Sequence, residues 1–133
     1  MGFDFKIWPQ IPIKDVKIVE MSQHNDLRGN LWTVWANEYD CGSSPDFVLD
    51  KVSVSKQNVL RGMHGDTKCY KYAAVLSGSV FFALCDYRPY LAGNTSEKLI
   101  CYSIELKGNQ PMAVYIPPGV LNGHYVSSEE AVF

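Results

Sequence analysis

A chain of 133 residues, 47% apolar and 13% aromatic, is sized for one globular domain around one core. Its 12 basic and 14 acidic side chains leave a formal charge of −2, so bulk electrostatics give no attraction for nucleic acid. No apolar run approaches the ~20 residues of a membrane span. The opening MGFDFKIWPQIPIKD has no basic region followed by a long apolar stretch, so no signal peptide is read and a cytoplasmic protein is expected.

Taken in order, the chain reads as strands almost throughout. The apolar FDFKIWPQIPI has no obvious partner within a minimal barrel and suggests pairing with a second copy. Strands follow at 15–21 (DVKIVEM) and 30–36 (NLWTVWA), around the turn cluster Asp26-Leu27-Arg28-Gly29-Asn30. NEYDCGSSPD reads as a loop with room for one helical turn. Further strands are expected at 47–55, 58–64, 70–77 and 79–87, with Ser77-Gly78 a tight hairpin signal. The Arg88-Pro89 to Asn94 cluster is a turn, and Arg88 after Asp86 reads as a structural ion pair. Strands at 98–107, 112–116 and 123–127 are separated by Gly108-Asn109-Gln110-Pro111 and Pro117-Pro118-Gly119. Glu129 to Phe133 reads as the start of one more strand, so the single domain over 1–133 is expected to be incomplete at its C-terminus. No window carries helical periodicity. The sum is an all-β protein with very little helix, most plausibly an antiparallel jelly-roll barrel. The four cysteines form no CxxC pair; three lie in strand-like runs and read as small buried thiols in a reducing compartment.

The chemistry concentrates in Arg61-Gly62-Met63-His64-Gly65-Asp66 and Lys71. Metal-binding cupins carry His-x-His, four further residues, then Glu. Here that spacing holds His64, Asp66 and Lys71. A protonated Lys offers no lone pair and repels a divalent ion, so no metal is expected at His64. A base beside a positive charge suits abstraction of a proton next to a carbonyl instead, because the charge stabilises the enolate oxygen.

Asp26-x-Arg28-Gly29, VSVSKQNVLRGMHGD, Lys71, Leu76-x-Gly78, Asp86-x-Arg88 and Ile116-Pro117-Pro118-Gly119 occur in one order. Over residues 20–133 that order resembles the dTDP-4-dehydrorhamnose 3,5-epimerase family. LRGMHGD and NGHYVSSEEAV are more similar to the branch acting on GDP-4-keto-heptoses in bacterial capsule synthesis. The resemblance implies a metal-free, cofactor-free cupin barrel, usually a homodimer, that inverts carbons flanking the ketone of a 4-keto nucleotide sugar. It makes His64 the base and Lys71 the enolate-stabilising cation. Arg61 matches the arginine before the base, and Arg28 a contact to the sugar-nucleotide phosphates. Lys51 and Ser53 stand where the rhamnose enzymes carry polar amides, so sugar contacts there differ.

The departures fall around the second motif. Asn122 or Gly123 replaces the family's histidine, and His124 is near but displaced, on a strand where one position changes the face. The family's general-acid Tyr falls about two residues beyond Phe133. The carboxylate that orients the base comes from further on, which leaves Asp66 or Asp86 to orient His64. A chain ending at Phe133 is therefore expected to bind and deprotonate better than it inverts, unless Tyr125 or His124 supplies the acid. Two rival readings follow: a sugar-nucleotide-binding barrel without turnover, and a 3,4-ketoisomerase. Asp66 in place of a second His counts against the latter.

Overall fold

The computed structural model describes residues 4–39 and 46–133. Among these, two four-stranded antiparallel sheets face each other. The first has the order β1-β2-β10-β7, from β1 (Phe5–Ile7), β2 (Lys17–Met21), β10 (Met112–Ile116) and β7 (Lys71–Ala74). The second has the order β6-β11-β8-β9, from β6 (Leu60–His64), β11 (Val120–Val126), β8 (Ser79–Asp86) and β9 (Cys101–Lys107). Two short pairs complete the set: β3 (His24–Asp26) with β4 (Gly29–Leu31), and β5 (Val54–Lys56) with β12 (Glu130–Val132). One helix, α1 (Arg88–Leu91), and a 3₁₀ turn at Asn37–Tyr39 are the helical elements described. No helix among the described residues is long and apolar enough to cross a membrane.

Alternation along the strands builds the core. On β8, Val80, Phe82 and Leu84 turn inward and are essentially fully buried, while Phe81 between them is exposed. They meet Ile18, Val114 and Ile116 of the opposite sheet, together with Leu106, Val120 and Val126. A second cluster lies on the back of the first sheet, where Val19, Met21, Tyr39 and Ala113 pack with Trp32, Trp35 and Tyr72.

That second cluster explains one departure from the sequence reading. The strand expected at 30–36 stops at Leu31, because Trp32, Trp35 and Ala36 are drawn onto the back of the sheet instead of extending a ladder. The N-terminal segment also finds a partner in its own chain: Phe5 to Ile7 pair with Val19 to Met21, so its apolar character is no argument for a second copy. Ser77-Gly78 does not close a hairpin. Leu76 and Ser77 pair with Val132 of β12, and the chain turns there from the first sheet into the second. Gly78 has φ of 82°, and a Cβ on it would collide with the Glu130 carbonyl. The strand expected at 123–127 begins earlier, at Val120. The strand expected at 47–55 is reduced to Val54–Lys56, although Ser53 still exchanges backbone hydrogen bonds with Phe133. Cys85 is buried, but Cys69 and Cys101 are exposed, against the expectation of buried thiols; Cys41 lies outside the described residues.

Arg88 is the structural clamp its spacing promised. Its Nε donates to Asp86 at 2.8 Å, Nη1 to Asp15 at 3.0 Å, and Nη2 to the Lys14 carbonyl at 2.7 Å. The guanidinium beside Asp86 holds that carboxyl below its ordinary value of 3.8, chiefly through the side-chain hydrogen bond. A depressed folded value means the pair stabilises fully above that ordinary value and is lost as pH falls through the lower folded one. Asp86→Asn is expected to cost about 1–3 kcal/mol. Urea titration at neutral pH and at pH values below 4 should show the loss at the former and a flattened acid limb at the latter.

Candidate active site

The site begins with a bulge. Asn122 of β11 lies opposite His64 of β6, and His124 lies opposite Arg61, so two steps on β11 face three on β6. In a regular strand, residues three apart point to opposite faces; absorbing one residue here turns Arg61 and His64 to the same face. Two glycines permit it. Gly62 has φ of 112°, and a Cβ on it would sit 2.6 Å from the Gly123 Cα. On Gly123 a Cβ would meet the Met63 Sδ at 2.9 Å. Gly62 inside a strand-like run was the visible sign of this bulge.

That shared face is the interior. Asn122 and His124 share one face of β11 with Val120 and Val126, both members of the main core. Lys71 shares one face of β7 with Ala73, which packs with the following Val75 into the same core, while Tyr72 and Ala74 belong to the outer cluster. β6 and β7 are edge strands of the two sheets. From β7 the Lys71 Nζ reaches the second sheet, where it donates to the Asn122 Oδ1 of β11 at 3.3 Å. Asn122 thus lies opposite His64 and holds Lys71, linking the imidazole strand of one sheet to the ammonium of the other. His64 stands exposed, Lys71 is half-buried, and Asn122 is buried. Of the two positions left open for the family's histidine, Asn122 is the one that faces inward.

Deeper on the same strand, His124 is 4% exposed, and its ring lies 4.3 Å from that of Phe133. Neither ring nitrogen has a hydrogen-bond partner among the described residues. Burial, then the nearby Arg61 and His64 charges, push its pKa below the ordinary imidazole value, so the ring is neutral at pH 7. Arg61 is anchored by its Nε, which donates to the buried Ser55 hydroxyl at 2.8 Å. Sequence reasoning missed Ser55. It singled out Ser53, whose hydroxyl instead faces the Phe133 carbonyl at 3.4 Å, and Lys51, which is exposed.

Other expected participants lie elsewhere. Arg28 is exposed on the β3–β4 hairpin, with its Nε donating to Asp26 at 3.0 Å, and no described contact joins it to His64. The Asp66 carboxylate is taken by the backbone N–H groups of Lys68 and Cys69, at 2.6 and 2.8 Å, and Asp86 by Arg88, so neither orients His64. Tyr125 points out of the barrel, where its hydroxyl donates to Asn58. Among the described residues, no three His, Cys, Asp or Glu side chains gather as a metal site.

Chemically, the interior offers an accessible imidazole, an ammonium held by a neutral amide, a guanidinium held by a hydroxyl, and a buried neutral imidazole. Fold and site together define a small jelly-roll protein that carries an imidazole, an ammonium and a guanidinium about one buried amide strand. The family model for dTDP-4-dehydrorhamnose 3,5-epimerase matches residues 10–133. The enzyme of that name from Escherichia coli K12 is 32% identical over 127 residues, covering 91% of this chain and 66% of that protein. A solved dTDP-6-deoxy-D-glucose-3,5-epimerase of Legionella pneumophila Philadelphia 1, in complex with dTDP-4-keto-L-rhamnose, is 28% identical with a TM-score of 0.83, over 97% of this chain and 69% of that one. The dTDP-4-dehydrorhamnose 3,5-epimerase of Elizabethkingia anophelis NUHP1 is 29% identical with a TM-score of 0.76, over 96% of this chain and 70% of that one. This chain belongs to the dTDP-4-dehydrorhamnose 3,5-epimerase family and shares its antiparallel jelly-roll fold. It spans about two thirds of the length of the relatives it matches.

Proposed function

We propose that the chain is an isomerase acting on a 4-keto deoxyhexose or heptose linked to dTDP or GDP, inverting carbons that flank the ketone. One observation carries the reading: Asn122 lies opposite His64 and holds the Lys71 ammonium. A proton beside a ketone is acidic only when the enolate oxygen is stabilised, and the site has the two groups that step needs. His64 removes the proton and Lys71 stabilises the oxyanion. Asn122, Arg61 and His124 contact the sugar. Lys51 and Ser53 border the opening, and Arg28 contacts the diphosphate. The reaction is assigned to the cytoplasm, within bacterial capsule sugar synthesis.

A homodimer completes this reading. Val48, Val52 and Val54 are 90%, 68% and 58% exposed, whereas Ser55 between the strand and Arg61 is buried. An apolar segment turned to solvent and leading into the edge strand β5 is suited to cover by another copy.

The test is a panel of dTDP- and GDP-linked 4-keto sugars incubated with the protein and read by proton NMR. Epimers flanking the ketone are expected from one nucleotide series, with the matching free nucleotide competing. Binding without epimer formation would favour the binding-protein reading, and a ketone moved from C4 to C3 would favour the ketoisomerase.

A further inference from the structure

Away from this site, on the outer side of the second sheet, Cys85 of β8 and Cys101 of β9 are directly opposed. Asp86 N–H donates to the Ile100 carbonyl at 2.9 Å, which makes Asp86 and Ile100 a hydrogen-bonded pair. Antiparallel ladders alternate, so Cys85 and Cys101 form a non-hydrogen-bonded pair, the type with side chains closest and Cα atoms about 4.5 Å apart. That spacing falls within the range that disulfides span. The Cys101 and Cys85 sulfurs are in contact at 2.7 Å. Cys101 is exposed and Cys85 is buried, so an outside reagent reaches one sulfur and not the other.

We propose that Cys85 and Cys101 are a reversible oxidation site, closing to a cross-strand disulfide by exchange with a small-molecule disulfide. The Cys101 thiolate attacks the reagent, forming a mixed disulfide and releasing one small thiol. Cys85 then attacks the Cys101 sulfur and expels the second small thiol. The protein loses two electrons and two thiol protons, and both protons end on the released thiols. Burial, followed by the neighbouring Cys101, pushes the Cys85 thiol up to about 11, so Cys85 does not compete for the outside reagent, and its own attack relies on the Cys101 sulfur already being in contact. The bond fastens the edge strand β9 to β8, the strand that pairs with β11. It also closes the loop 86–100 that carries α1. Restricting that loop in the unfolded chain raises the melting temperature of the oxidised form by several degrees.

The experiment treats the full chain with oxidised glutathione, then alkylates free thiols and maps peptides by mass spectrometry. The expected product has lost two hydrogens at Cys85 and Cys101, carries no glutathione on either, and returns to the dithiol with dithiothreitol. Exposed Cys69 is the internal control for reagent access. Cys85→Ser should trap glutathione on Cys101. Glutathione persisting on Cys101 of the unsubstituted chain, or a free Cys101 beside a modified Cys69, would overturn the proposal whether or not the variant folds.

Discussion

His64→Ala is expected to lower removal of the proton beside the ketone by ~10²–10⁴-fold, the usual worth of a positioned general base. Folding should survive, because His64 is exposed and no described hydrogen bond depends on it. Opposite it, Asn122 keeps Lys71 as its partner, so the rest of the interior is left paired. Nucleotide affinity should change little. Stopped-flow or NMR progress curves, with binding of the free nucleotide measured beside them, separate the two quantities. A variant that loses affinity while its rate at saturation is preserved would make His64 a binding residue.

Lys71→Met is expected to be comparably severe by a different route. The stem length is kept, but the charge that meets the developing enolate is gone, and removal of one such stabilising donor typically costs ~10²–10³-fold in rate. The Asn122 Oδ1 also loses its donor at a buried position, so a stability loss of about 1–3 kcal/mol should accompany the rate loss. Lys71→Arg restores the charge with a planar fork in place of a point, and partial recovery of rate is expected from it. Urea titrations alongside the kinetics check both halves. A Lys71→Met chain that is destabilised yet turns over normally would leave the lysine a merely structural role.

How much of this was legible in the residues differs from element to element. Period-two alternation located strands such as β8, which buries one face, while 112–116, recovered residue for residue as β10, is buried on both faces and reads as a short continuous apolar run. Alternation failed where a tertiary partner outweighed it. Trp32 and Trp35 read as strand residues but pack against the back of a sheet. In VSVS the valines are exposed while Ser55 is buried, since its hydroxyl is the anchor for Arg61 six residues on. No local pattern announces a partner of that kind. The spacing of His64, Asp66 and Lys71 pointed to a base beside a cation, and Asp66 was one of two carboxylates expected to orient His64, whereas its carboxylate caps the turn at Lys68 and Cys69. The convergence itself depends on the Gly62 bulge and on an amide from a strand about fifty residues later, and long-range register is not written in any short motif. His124 was visible as a histidine near a known position; that it is neutral, buried and packed at a tilt against the Phe133 ring required the structure.

Site-resolved proton exchange reads the roles of His64 and Lys71 without waiting for a completed inversion. A 4-keto nucleotide sugar is incubated in deuterated water with the unsubstituted chain, His64→Ala and Lys71→Met, and the signals of the carbons flanking the ketone are followed by NMR. Deuterium is expected to enter beside the ketone with the unsubstituted chain, and exchange near the uncatalysed rate is expected with either variant. Exchange in His64→Ala as fast as in the unsubstituted chain would contradict the role of His64 as the base.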